Sequence, residues 1–170
     1  PRYQYGTNLA FQWYGFDFNI FFQGIGHIDW YPGREAQAFW GYYNRPYGTF
    51  IPKDFQKLCW SEDNPNAYFP RPRTAVALTE NSELSTVNDR YLQNIGYCRL
   101  KNLTIGYSLP KFLTNKIGLD LVRLYFSGEN LAYWSPIKTD YVDPEQARQG
   151  GTLKVYPWQK SFTFGVNINF

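Results

Sequence analysis

Apolar and polar residues alternate at the start of the chain. Tyr3, Tyr5, Thr7, Leu9, Phe11 and Trp13 share one parity, and Arg2, Gln4, Gly6, Asn8, Ala10 and Gln12 share the other. Successive side chains of an extended strand point to opposite sides, so residues 2–13 predict a strand with one apolar and one polar face. Tyr14-Gly15 reads as a tight turn. The alternation resumes over residues 15–28, where Phe16, Phe18, Ile20, Phe22 and Ile28 oppose Asp17, Asn19, Gln23 and His27, with Phe21 and Ile25 departing from the polar parity. A third strand is predicted over 91–109. There Arg99 and Lys101 hold a parity that Leu103, Ile105 and Tyr107 then occupy, and a β-bulge near Asn102 reconciles the two phases. Residues 119–133 and 159–170 complete the set, with Val122, Leu124 and Phe126 alternating in the one and Phe162, Phe164, Val166, Ile168 and Phe170 in the other.

Between these strands the pattern is lost. Residues 29–90 are rich in Pro, Asn, Asp and aromatics and read as one long loop with a short helix near 52–60. Residues 110–118 form a short connection opened by Pro110, and 134–158 form a second long loop rich in Gly, Pro and Asp. The connections therefore run short, long, short, long, as in a membrane barrel with brief turns at one rim and extended loops at the other. A strand over 2–13 extends about 40 Å and, at a tilt near 40°, rises about 30 Å, enough to cross an apolar band of about 25 Å. Soluble strands are typically half that length. The expected fold class is all-β, a run of antiparallel transmembrane β-barrel strands with long loops. Five strands cannot close a barrel, because an open edge in lipid leaves backbone groups unsatisfied, so further strands are expected upstream.

Composition sharpens this. Aromatic residues make up 21% of the chain and charged residues only 18%, below the quarter or so usual for soluble domains. That balance suits either a membrane barrel with aromatic girdles or a soluble or surface carbohydrate-binding β-module. The mean hydropathy of −0.49 and the lack of a long apolar run exclude a transmembrane helix but not spanning strands. A net charge of +3, unclustered, gives no footprint for nucleic acid. Cys59 and Cys98 match no redox or zinc spacing, and their count and context favour two free thiols over a disulfide. The chain opens on Pro1-Arg2-Tyr3 without the features of a signal peptide, which fits either a removed signal or an internal starting point.

Four stretches stand in order along the chain: Tyr97-Cys98-Arg99-Leu100-Lys101-Asn102-Leu103-Thr104-Ile105-Gly106-Tyr107-Ser108-Leu109-Pro110, then Arg123-Leu124-Tyr125-Phe126-Ser127-Gly128-Glu129-Asn130-Leu131, Asp143-Pro144-Glu145, and Tyr156-Pro157 with Phe162-Thr163-Phe164-Gly165. In combination and order they resemble SusC-like TonB-dependent outer-membrane transporters, the SusC/RagA family of the Bacteroidetes. Gly15-Phe16-Asp17 and Phe22-Gln23-Gly24 fit the same pattern; the match is weakest over 29–61, and Cys98 stands where the family more often has a residue such as Leu. The resemblance implies the C-terminal part of a barrel of about 22 strands. The plug domain, the TonB-interacting segment and the remaining barrel lie outside this chain. It also implies TonB-dependent import of oligosaccharides or oligopeptides across the outer membrane, beneath a SusD-like surface lipoprotein. A siderophore-type receptor is the alternative within the wider class. Implied partners are TonB, the SusD-like lipoprotein, outer-membrane lipid and the barrel assembly machinery, with Phe170 as the assembly signal at the end of the last strand.

No catalytic set emerges, so the chain reads as a non-enzyme without a cofactor. His27, the sole histidine, lacks partners at metal or triad spacing and reads as a wall or rim residue. Gly24-Ile25-Gly26 lacks the third glycine and the helix of a dinucleotide fingerprint. Asp140, Asp143 and Glu145 depart from EF-hand spacing and read as a solvated or hydrogen-bonded turn, and the sequon Asn102-Leu103-Thr104 falls within a strand, where it reads as unmodified. Asp17, Asn19, Gln23, Arg123, Ser127, Glu129, Asn167 and Asn169 are expected to face the barrel lumen as a wetted wall or as contacts to substrate or plug. Trp40, Tyr42, Tyr43, Trp60, Tyr68, Trp134 and Tyr141 are the loop aromatics expected to pack the loops, seat the lipoprotein lid or stack on substrate.

Overall fold

The structure is a computed structural model that describes every residue except 45–50, 74, 81, 149–152, 154 and 157, and the side chain of residue 75. The strands in chain order are β1 (Gln4–Trp13), β2 (Phe16–Ile25), β3 (Asp29–Trp30), β4 (Gln93–Asn94), β5 (Tyr97–Ser108), β6 (Leu121–Trp134) and β7 (Ser161–Asn169). Short helical turns are α1 (Gln37–Trp40), α2 (Lys111–Thr114) and α3 (Pro144–Ala147), with a 3₁₀ turn at Phe55–Leu58 inside the segment expected to be helical. The chain divides into two units: Pro1–His27, Gly96–Ser135 and Pro157–Phe170 form the first, and Ile28–Ile95 with Pro136–Tyr156 the second.

The first unit is a meander of five antiparallel strands in the order β1-β2-β5-β6-β7. Trp13 pairs with Phe16 across a two-residue turn whose Tyr14 and Gly15 have φ of 44° and 85°. Positive φ at both positions matches a tight hairpin turn to the right-handed twist of its strands, and Gly at the second position accepts it without strain. The bulge expected near Asn102 falls at Lys101: Phe21 pairs with Asn102 and the adjacent Phe22 with Leu100, leaving Lys101 outside that ladder. The extra residue lets Arg99 share a face with Thr104 rather than with Leu103, which is why the two parity phases coexist in one strand. The short turns β1–β2 and β5–β6 lie at one end of the meander, and the long connections leave from the other.

Three element boundaries differ from the sequence reading. The strand expected over 91–109 is broken: Gln93–Asn94 pairs with Asp29–Trp30 as a separate ribbon, closed by the Ile95 amide donating to the Ile28 carbonyl at 3.0 Å. The strand expected to reach residue 28 ends at Ile25, so His27 lies beyond it, exposed. Trp134, expected in a loop, is the last residue of β6 and pairs with Cys98.

The second unit is more ordered than a long loop with one short helix. It has its own aromatic core of Phe39, Trp40, Tyr43, Phe55, Phe69 and Tyr91, joined by Val142, Ala147 and Leu153 from the second connection. Phe55 and Phe69 stack at 5.1 Å, and Phe69 stacks in turn on Tyr91 at 5.8 Å. The polar tips of these rings are satisfied: the Trp40 indole donates to the Gly33 carbonyl at 3.0 Å, and the Tyr43 hydroxyl donates to the Pro70 carbonyl. Gln93, 2% exposed, ties the two connections together, donating to the Tyr68 hydroxyl at 2.6 Å and accepting from the Lys138 amide at 3.1 Å.

Candidate functional site

The register sorts the sheet into two chemically distinct faces. Directly paired residues lie on the same face, so the ladder Gln12, Asp17, Gly106 and Tyr125, together with Ala10, Asn19, Thr104, Ser127 and Thr163, defines one of them. Arg123 with Asn167, Glu129 with Ser161, Gln23 with Arg99, and Asn169 complete it. All eight polar wall candidates thus share this face. Near its short-turn end stands a forked ion pair: Arg123 Nε and Nη2 donate to the two carboxylate oxygens of Asp17 at 2.8 and 2.5 Å. The pair bridges β6 to β2 over the intervening β5, which is possible because β5 carries Gly106 there. A Cβ on Gly106 would lie 2.5 Å from Arg123 Nη2, inside contact distance. The Arg123 guanidinium also sits 5.3 Å from the Tyr125 ring. Thr104 and Ser127 share a hydroxyl hydrogen bond at 3.1 Å, and Ser161 donates to Glu129 at 3.1 Å. Sequence alternation alone does not mark Gly106, Thr104 and Ser161 as parts of these contacts, although their strand parity carries the signal.

The opposite face is apolar and uncovered. Leu9, Phe11, Leu124, Phe164, Val166 and Ile168 are each about half exposed or more. Aromatic rings gather at its two ends: Trp13, Phe16 and Tyr107 beside the short turns, with Phe16 and Tyr107 at 4.6 Å, and Tyr5 and Trp134 beside the long connections. Tyr5 and Trp13 are eight positions apart on β1. That is about 27 Å of strand and about 21 Å of height at a 40° tilt, close to the apolar band of a membrane barrel.

In the second unit, Trp40 and Tyr43 are wholly buried: of the roles expected for the loop aromatics these two take packing, and they are not surface contacts. Tyr42, Trp60, Tyr68 and Tyr141 are half-buried, and Trp134 belongs to the apolar face of the sheet rather than to a loop. Trp60 borders a surface cavity of about 370 Å³ with Gln56, Glu62 and Arg71. Burial raises the Tyr31 hydroxyl to about 12 and lifts Tyr43, Tyr68 and Tyr91 above the ordinary tyrosine range. Burial also raises the Cys59 thiol, keeping it protonated and unreactive, and neither Cys59 nor Cys98 is bonded. Asp143 caps α3 by accepting from the Glu145 amide at 2.9 Å, the hydrogen-bonded turn expected for the acidic cluster. No metal-binding group of side chains occurs among the described residues. Phe170 follows β7, almost fully exposed.

No family model matches the chain. It is 32% identical over 185 residues to TonB-dependent receptor P3 of Formosa agariphila, in an alignment that takes in all of this chain and 16% of that protein. The chain belongs to the TonB-dependent receptors. Its fold matches that of the RagAB peptide importer in the open-open state, with a TM-score of 0.62 and 23% identity over 98% of this chain and 17% of that one. The closed-closed state gives a TM-score of 0.61 at 22% identity, with the same coverage. The sheet thus has the antiparallel fold of a length of that importer's β-barrel wall. The chain spans about a sixth of the length of these relatives.

Proposed function

We propose that this chain is part of a TonB-dependent importer of oligomeric nutrients, oligosaccharides or oligopeptides, working with a SusD-like lipoprotein in the outer membrane of a Bacteroidetes-like bacterium. The observation that carries the reading is the division of the sheet into a polar and an apolar face in a chain belonging to the receptor family. The apolar face meets lipid. The polar face, with Asp17, Asn19, Gln23, Arg123, Ser127, Glu129, Asn167 and Asn169, lines the lumen, where fixed ion pairs and amides present a wet wall to cargo and plug. Residues 29–90 lie outside the cell, since they follow the end of the meander that carries both long connections. Half-buried Tyr42, Trp60, Tyr68 and Tyr141 are the aromatics left to touch cargo or lid, now that Trp40 and Tyr43 are accounted for as core. The chain acts by walling and recognition, and we assign it no catalytic step.

Two measurements test this. Cells carrying the full-length receptor should take up labelled oligosaccharides or oligopeptides, and a proton uncoupler or loss of TonB should abolish that uptake. Uptake independent of both would reject energised import. An epitope tag between Asn64 and Ala67 should be reached by antibody on intact cells, whereas labelling only after permeabilisation would invert the topology.

A further inference from the structure

The connection between β5 and β6 carries exposed apolar side chains at the short-turn end of the sheet. Its two turns, α2 and a 3₁₀ turn at Asn115–Ile117, end on Gly118 with φ of 70°. Thr114 points inward and is 1% exposed, while Phe112 and Ile117 are each 66% exposed and Leu113 41%. Lys111 and Lys116 are exposed among them. The segment is held firmly to the rim of the sheet. The Leu109 amide donates to the Val122 carbonyl at 2.9 Å, the Leu119 amide to Thr114 at 3.1 Å and the Asp120 amide to Asn169 at 3.0 Å. The neighbouring Ser108 amide donates to Gly15 at 2.8 Å, which fixes the rim of β5 against the β1–β2 turn. The outward apolar residues are thus a fixed feature of the rim.

The aromatic ring cluster of Trp13, Phe16 and Tyr107 marks the depth of this rim, because aromatic girdles settle at the boundary between hydrocarbon and headgroups. Lys111 follows Tyr107 by four residues, a reach of at most about 13 Å along the chain and less in height once tilt and turn are counted. The headgroup layer is itself about 5–8 Å thick on each side of the hydrocarbon. If the apolar face meets lipid, α2 at the rim of β5 and β6 falls at headgroup depth. An amphipathic segment with Phe and Leu on one side and Lys beside them is the composition that lies in the plane of that layer.

We propose that the β5–β6 connection is a membrane-interface anchor, with Phe112, Leu113 and Ile117 entering the headgroup layer at the short-turn rim and Lys111 and Lys116 contacting phospholipid phosphates. It rests on the reading that the apolar face of the sheet meets lipid. Lipid is favoured over a protein partner because Lys111 and Lys116 stand exposed among the exposed apolar side chains, a charge complement to phosphate. A dry protein contact would bury those ammonium groups at a cost unless each found a carboxylate.

The test uses the full-length receptor in vesicles of phosphatidylethanolamine and phosphatidylglycerol. These vesicles contain a trace of either lipid bearing a diazirine next to its headgroup. After irradiation, mass spectrometry of tryptic peptides should find adducts on Phe112, Leu113 and Ile117 at levels comparable to those on Trp13 and Tyr107, and none on Asn167. Labelled Trp13 and Tyr107 with an unlabelled connection would overturn the anchor while leaving the lipid-facing sheet intact. Absence of label from Trp13 and Tyr107 as well would reject both. In a Lys111→Glu, Lys116→Glu variant, the ratio of anionic to zwitterionic lipid adducts on Phe112 should fall at least about threefold, since lysines beside a charged surface attract anionic headgroups. Lys111→Gln with Lys116→Gln provides the milder version should charge reversal impair insertion. An unchanged ratio in both variants would refute the phosphate contact.

Discussion

Replacing Ile20 by Lys should unfold the barrel wall where the same change at Asn19 does not. Ile20 is the fifth residue of the ten in β2 and lies between Leu9 of β1 and Leu103 of β5. It therefore sits near the middle of the apolar face, about 14 Å of strand from one end and about 17 Å from the other. Asn19, its neighbour in sequence, lies between Ala10 and Thr104 on the polar face. A Lys on the lipid face at the midplane costs about 2–4 kcal/mol, equivalent to roughly 30- to 1,000-fold in the folded population. A Lys in place of an exposed Asn on a wet wall costs within about 0.5 kcal/mol. The pair Phe164 and Thr163 repeats the comparison on β7, opposite Phe126 and Ser127. The assay is the fraction of heat-resistant folded barrel on a gel, followed by urea titration of the full-length protein in lipid. Ile20→Lys and Phe164→Lys should lose most of the folded form, with Asn19→Lys and Thr163→Lys near wild type. Equal losses at both parities, or greater ones at Asn19 and Thr163, would refute the assignment of faces and with it the lipid-facing sheet.

Three further outcomes follow from the same geometry. Gly106→Ala should displace the Asp17–Arg123 pair and lower stability by about 1–2 kcal/mol, between the values for exposed and buried ion pairs. Asp17→Asn should cost a similar amount, and combining the two should cost little more; additive losses in a thermal gel-shift series would show that Gly106 acts independently of the pair. Trp40→Ala should destabilise the second unit by about 3–5 kcal/mol and open it to protease, whereas Trp60→Ala should not, as limited proteolysis of the full-length receptor would show. The second unit should also loosen in alkali. Its core tyrosines fold as neutral hydroxyls with raised pKa, so their contribution is complete below about pH 10 and is lost as pH climbs through the 12 of Tyr31. Absorbance at the tyrosinate band should rise together with protease sensitivity in that window, and ionisation without loosening would contradict the burial of these rings.

Alternation, turn and bulge were legible because each is local. Period two follows from the geometry of an extended backbone, so Phe18 and Asn19 declare their faces without knowledge of any partner strand. Tyr14-Gly15 declares the hairpin through its conformational demand, and the change of parity between Arg99 and Leu103 declares the bulge. The sequence by itself therefore determined a two-faced antiparallel sheet and most of the residues on its polar face. Tertiary structure decided what long-range proximity decides. The Asp17–Arg123 pair joins residues 106 positions apart across a glycine of a third strand, and nothing in the spacing of these residues announces it. In the irregular connections there is no period to divide inside from outside. Trp40 and Tyr43 became core while Trp60 remained half-buried, because a second segment, with Val142, Ala147 and Leu153, folds back to complete the packing around them. Burial there is a property of two distant stretches meeting, and neither stretch carries it alone.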